Sequence, residues 1–236
     1  MHLVLLILNL MPVTYTMVGG SGLYTSSAST HTNTVFNVLT GDLLVLGSRS
    51  IFANITGVVG TLSGTWTKAW SVTGGSVAEV WYGIATAGGS DGITVTGSNG
   101  SFIFRGCFAN FRSSTGFLSF ATVLDTTHTG GPTSSTSFSS GSLTTATATE
   151  LLIGYNENET ADSPTITPTG GWTAFAGNGV SQNNAAMYWL PATAAGSYSF
   201  AGTISSVNWI TGIAAFKPVP SGGGGSTKAF NYTYIF

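Results

Sequence analysis

The chain has 236 residues, of which 6% are charged: six Lys and Arg stand against eight Asp and Glu, a net charge of −2. An ordinary soluble domain carries about 25% charged residues, so no basic stripe is available to neutralise phosphates, and neither nucleic acid nor an anionic membrane surface is an expected partner. The single cysteine, Cys107, excludes an intrachain disulfide and a cysteine metal cluster, and near-zero net charge favours association over repulsion.

Along the chain, the first feature is the apolar run Leu3–Val13. It has the length of a signal-peptide core, but only His2 precedes it and no small-x-small site follows at Thr14–Met17. Asn9 and Pro12 interrupt it, and it is too short to span a bilayer. The expectation is a retained apolar strand over residues 1–18, with Leu5, Leu6 and Ile7 as assembly contacts.

From residue 19 to 220, segments rich in Val, Ile, Phe, Tyr, Trp and Thr alternate with Gly, Ser and Asn, and no stretch sustains a helical period. The chain is therefore expected to be all-β. Expected strands are Thr34–Leu39, Leu43–Ser48, Thr65–Val72, Ala78–Ala85, Gly92–Thr96, Phe102–Phe111, Gly116–Thr122, Ser134–Ser139, Glu150–Tyr155, Thr173–Ala176, Ala185–Leu190, Gly196–Ala201 and Trp209–Lys217. Cys107 sits in one of the most apolar of them, where an inert buried thiol is expected.

An internal repeat organises these segments. Leu43-Leu44-Val45 recurs as Leu151-Leu152-Ile153, Gly64–Thr67 as Gly170–Thr173, Glu79–Ala87 as Ala186–Ala194, and Phe104–Ala109 as Ile210–Ala215. The offsets stay between 106 and 108 positions (172 − 66 and 151 − 43). Each half, about 34–125 and 134–218, carries about four strands with an apolar face that has to be covered by its copy. The expected fold is a two-sheet β-sandwich of jelly-roll or related Greek-key winding, built from two similar halves; tandem Ig-like domains are the alternative.

After Pro220, residues 221–226 (SGGGGS) compose a flexible tether. The segment 227–236 then alternates, placing Phe230, Tyr232, Tyr234 and Phe236 on one face of an expected strand, where they would contact a neighbour.

Chemistry is sparse. Gly88–Gly92 matches G-x-S-x-G around Ser90, but a nucleophile elbow lies between a strand and a helix, and here a turn between β-runs is expected. His2, His31 and His128 have no metal spacing, and no cofactor is expected. Glu157, Glu159 and Asp162 offer oxygen ligands of the kind Ca²⁺ takes, yet they fit no EF-hand loop and read as a solvated connection. The tryptophans at repeat-equivalent positions, Trp66 with Trp172 and Trp81-Tyr82 with Tyr188-Trp189, read as core. Trp70 has no aromatic counterpart in the second half and is the candidate for an exposed ligand contact, for instance with a surface glycan.

The blocks Gly41–Val45, Gly64–Thr67, Val80–Ala85 and Ala214–Pro218 resemble those of β-sandwich domains frequent in phage virion or tail proteins and bacterial surface proteins, over residues 17–218. The resemblance implies no catalytic residues. The expected role is a non-enzymatic assembly subunit of a virion (capsid decoration or tail-associated) or an extracellular filament. Its partners would be further copies or other virion proteins, engaged by terminal strands. The alternative is a carbohydrate- or receptor-binding adhesion module.

Overall fold

The structure, a computed structural model, describes residues 13–51, 53–99, 102–158, 165–175 and 185–221. Among these residues it is an all-β sandwich of antiparallel sheets without a helix. The expected contacts Leu5, Leu6, Ile7, Phe230, Tyr232, Tyr234 and Phe236 lie outside the described residues.

The first half contributes β1 (Tyr15–Ala28), β2 (Thr30–Val38), β3 (Leu43–Ile51), β4 (Ile55–Gly60), β5 (Gly64–Thr65), β6 (Thr67–Thr73), β7 (Val77–Ile84), β8 (Gly89–Gly97) and β9 (Phe102–Ser113). These form two sheets, in the orders β1-β9-β3-β7-β6 and β2-β8-β4-β5. The second half contributes β10 (Leu124–Thr145), β11 (Leu151–Asn158), β12 (Ile166–Pro168), β13 (Thr173–Ala174), β14 (Ala185–Pro191) and β15 (Gly196–Phe216), in one sheet of order β10-β15-β11-β14-β13 with β12 on β15.

This layering is richer than one sheet per half. In the first half, Leu44, Leu46, Trp81 and Phe108 pack against Val58, Ile93 and Val95 of the facing sheet, so the half already has two layers and its own core. The second half repeats the pattern in a continuous sheet. β10 and β15 pair from Leu124↔Phe216 to Ser135↔Val207 and, after a bend with register shifts, from Ser137↔Thr203 to Thr145↔Gly196. Their far ends fold over β11 and β14 and enclose a core around Leu152, Tyr188, Phe200 and Trp209.

A third core joins the halves. Leu43, Val45, Val80 and Phe111 from one side meet Leu151, Ile153, Met187 and Phe216 from the other. β3 and β11 are thus buried on both faces, which is why both read as unbroken apolar runs where a half-exposed strand would alternate.

Strand register fixes the equivalence of the halves. Leu43 pairs with Ile84 and Phe111, and Leu151 pairs with Pro191 and Phe216. Tyr82 is therefore equivalent to Trp189, and Phe111 to Phe216. Their contacts cross over: Phe111 meets Trp189 at 5.7 Å and 64°, and Phe216 meets Tyr82 at 5.4 Å and 66°. Two matching reciprocal contacts of this kind are the mark of a two-fold arrangement. The pairing also corrects one alignment, because Gly47 faces Cys107 and Tyr155 faces Gly212. Cys107, not Gly106, is the equivalent of Gly212, and a slip of one residue would have sent every side chain to the wrong face.

Near the two-fold, equivalent residues meet each other. Gly47 and its counterpart Tyr155 are in contact, and a Cβ on Gly47 would come within 2.4 Å of the Tyr155 ring. Substituting Gly47→Ala is expected to destabilise the protein by about 1–3 kcal/mol through overpacking. Gly57→Ala in β4, where nothing lies within 4 Å, is expected to leave stability unchanged or raise it by up to about 1 kcal/mol. Urea midpoints of both variants beside the parent check this; equal midpoints would refute the packing argument.

Candidate functional site

Trp70 does not occupy the exposed position expected of it. It is 6% exposed, lies in the core between the halves beside Tyr155, and stacks its six-membered ring where a Cβ on Gly212 would sit. The missing aromatic in the second half reflects the glycine that Trp70 fills, not a free face. Its edge borders a shallow groove between β6 and β10, lined by Ala69, Ser71, Thr127, His128 and Thr129. The core reading of the other tryptophans agrees with the structure: Trp66 and Trp81 are buried, and Trp172 packs edge-on against Phe200 at 4.8 Å.

Three further expectations change. Glu157 lies within β11, next to its last residue, at 0% exposure and is no part of a solvated loop; Glu159 and Asp162 fall outside the described residues. Ser90 is not in a turn but near the start of β8, in register with Asn37, while its neighbour Asp91 is buried and accepts hydrogen bonds from Leu62 N–H and the Ser63 hydroxyl. Gly116–Thr122 is the connection between the halves and not a strand, pinned instead by Phe117, which bridges to Pro218. Cys107 is buried as expected.

The chemistry of this protein lies in where its few charges go. On the two-fold, Arg49 donates to Glu157 at 2.6 Å, and Ser76 adds a short hydrogen bond to the same oxygen. Arg49 and Glu157 are themselves repeat equivalents, 108 positions apart, so each half supplies one sign at the same place. Glu79, fully buried, collects Lys68 at 2.5 Å, Trp81 Nε1 at 3.0 Å and Ser71 at 3.2 Å. Buried carboxylates need such donors, because an unpaired buried charge costs several kcal/mol.

A second pair of sites sits where the first and last strands of each half meet the β2–β3 turn or its copy. In the first half, Asp42 caps the turn by accepting Leu39 N–H at 2.9 Å, and Arg112 grips both its oxygens at 2.9 and 2.8 Å. This hydrogen-bonded grip raises the Arg112 pKa further. In the second half, Glu150 takes the place of Asp42 and accepts Thr147 N–H and hydroxyl, each at 2.9 Å. Lys217 takes the place of Arg112 but does not reach Glu150. It binds Asp125 at 3.1 Å instead, and Asp125 also accepts Ala146 N–H at 3.0 Å.

Asp125 and Glu150 are therefore two carboxyls whose titrations influence each other. Burial and the neighbouring Asp125 charge raise the pKa of Glu150 against the hydrogen bonds from Thr147. Burial also acts upward on Asp125, but Ala146 N–H and Lys217 outweigh it, and its pKa is lowered. Tyr15, whose hydroxyl donates to Thr149 O, is pushed up by burial and then by the Glu150 charge.

Taken together, 14 charged residues (6 + 8) occur in the chain, and Glu159, Asp162 and Lys228 lie outside the described set. Each of the other eleven is buried or half-buried. Most take part in the ion pairs just described. The described surface is thus made of Ser, Thr, Asn, Gly and scattered apolar side chains. Among the described residues no helix is long and apolar enough to cross a membrane. The chain matches no protein-family model, no curated protein and no solved structure.

Because the folded-state pKa of Glu150 is raised above its ordinary 4.5, folding favours its protonated form. That contribution is full below the ordinary value and is lost as pH rises through the folded one. The groups facing it are Thr147, Asp125 and Tyr15. In Glu150→Gln this contribution is absent, so the stability of the parent relative to the variant is expected to fall as pH rises above the ordinary carboxylate value. Urea unfolding across a pH series measures it, and a pH-independent difference would contradict the assignment.

Proposed function

We propose that this chain is a non-enzymatic assembly subunit of a virion or an extracellular filament, with terminal strands engaging neighbouring subunits. The observation that carries the reading is the charge-poor surface: the most accessible ion-paired side chains, Arg112 at 38% and Lys68 at 32%, are each neutralised by a buried carboxylate. Electrostatic repulsion, which keeps ordinary monomers apart, is nearly absent. Such a surface suits a molecule covered by its neighbours.

The sheet edges support the same reading. β1 and β10 lie at the borders of the two large sheets, and an edge strand presents main-chain groups that an added strand can pair. β10 carries Ser and Thr, but Pro132 and repeated register shifts blunt much of its length. β1 contains neither proline nor charge. The alternating aromatics Phe230, Tyr232, Tyr234 and Phe236 follow a tether, and strand addition would dock such alternate side chains in pockets. We read the interleaved strand order of each half as jelly-roll winding, which suits a particle subunit. The adhesion reading loses its aromatic candidate with the burial of Trp70.

Sedimentation velocity on the full chain beside one truncated after Pro220 tests the proposal. The full chain is expected to form oligomers that collapse to monomers on truncation, and raising salt from about 0.1 M to about 1 M is not expected to dissociate them, since few exposed charges remain to be screened. Monomers in both cases would overturn strand exchange through the tail.

A further inference from the structure

We propose that Lys217 and Asp125 join spontaneously in an isopeptide bond, with Glu150 as the acid that moves the protons. Lys217 Nζ lies 3.1 Å from Asp125 Oδ1. Asp125 lies in β10 and Lys217 directly follows β15, beside the Leu124↔Phe216 pair, where a bulge between Leu124 and Thr126 leaves Asp125 out of the ladder. A bulge of this kind re-aims a side chain. The side chains retain 26% and 12% exposure, and Val123, Glu150 and Phe216 beside them are fully buried.

Glu150 supplies the remaining part. One oxygen is held by Thr147. The other is buried and receives no donor from any group that carries its own hydrogen. Protonation of this oxygen would let Glu150 act as the acid of the site, in keeping with the direction in which its pKa is displaced by burial.

The first half is a built-in comparison. Its bulge between Met17 and Gly19 places Val18 where Asp125 stands, and Arg112 where Lys217 stands. A guanidinium stays charged and offers no nucleophilic lone pair, so that corner keeps an ion pair. Lys68 and Glu79 also touch, but Trp81 and Ser71 complete that carboxylate, so it is held as an ion pair by donors on every side.

The reaction balances without an oxidant or a nucleotide. The Lys217 ammonium passes a proton to the Asp125 carboxylate, giving an amine and a carboxylic acid. The Nζ lone pair attacks Cγ, and an N–C bond forms. Ala146 N–H, at 3.0 Å from Oδ2, steadies the negative charge on the oxygen that remains as the amide carbonyl. Glu150 donates its proton to the departing oxygen and recovers one from the nitrogen; the C–O bond breaks and one water leaves. Fixed proximity replaces an encounter, which is worth many orders of magnitude in effective concentration.

The bond would tie the first strand of the second half to its last, so tension between the linker at Val123 and the segment after Lys217 would bypass the whole half. It is independent of which particle or filament the chain serves. Intact mass spectrometry of the full chain decides the matter, with any N-terminal processing read from the same spectrum. The parent is expected one water lighter than its sequence, Lys217→Arg and Asp125→Ala at full mass, Glu150→Gln at full mass in most molecules, and Lys68→Arg still one water light. Fragmentation is expected to place the link between Asp125 and Lys217. A parent at full mass, or a deficit that survives in Lys217→Arg, would overturn the proposal.

Discussion

The shared apolar face between β3 and β11 is the constraint on which the rest of the molecule depends. Each half has a core of its own, yet its inner sheet still presents Leu43, Val45, Val80 and Phe111, or their counterparts Leu151, Ile153, Met187 and Phe216. A face of that size cannot be left to water. Covering it with the other half makes both inner sheets interior layers, and β3 and β11 at their centre are buried along almost their whole length.

A two-fold contact of this type would work equally well between two copies of the same half unless something distinguished them. Two positions do. Two copies of the second half would bring Tyr155 against Tyr155 where Gly47 now makes room, and two copies of the first would bring Arg49 against Arg49 with no carboxylate. Like charges at such a site cost far more than at a surface. Differences at equivalent residues thus specify pairing of unlike halves, and they consume two of the few charges the chain has.

Much of this was legible in the residues. Class, repeat and the burial of paired tryptophans follow from periodicity and spacing, because both record which faces are covered. Two features were not legible. That each half has two layers depends on Ile55–Gly60 and on the continuation of β10 and β15 around a bend, where Gly and Thr dominate and no periodicity stands out. The clasp at Asp125, Glu150 and Lys217 was invisible because its members lie far apart in sequence and meet only through strand pairing. Its trace was there in the repeat: Arg112 and Lys217 are equivalent, as are Asp42 and Glu150. Glu157 misled for the opposite reason, since the polar run NENETADS hides the point at which the strand leaves the core.

The same corner of the fold, duplicated, has taken two chemical forms. Both halves must hold their last strand against the turn that follows the second strand, and both use a carboxyl capping that turn. With Arg112 the grip is bidentate and complete, so nothing further can happen to it. Exchanging arginine for lysine loses the fork, and Asp125 in the bulge restores a partner at the cost of crowding a second carboxyl against the first. That crowding, with burial, favours the protonated form of Glu150 beside a lysine–carboxylate contact. In a chain most of whose described charges are sequestered in ion pairs, this contact lacks the bidentate grip of its twin, and its lysine is the one of the two that can become a nucleophile.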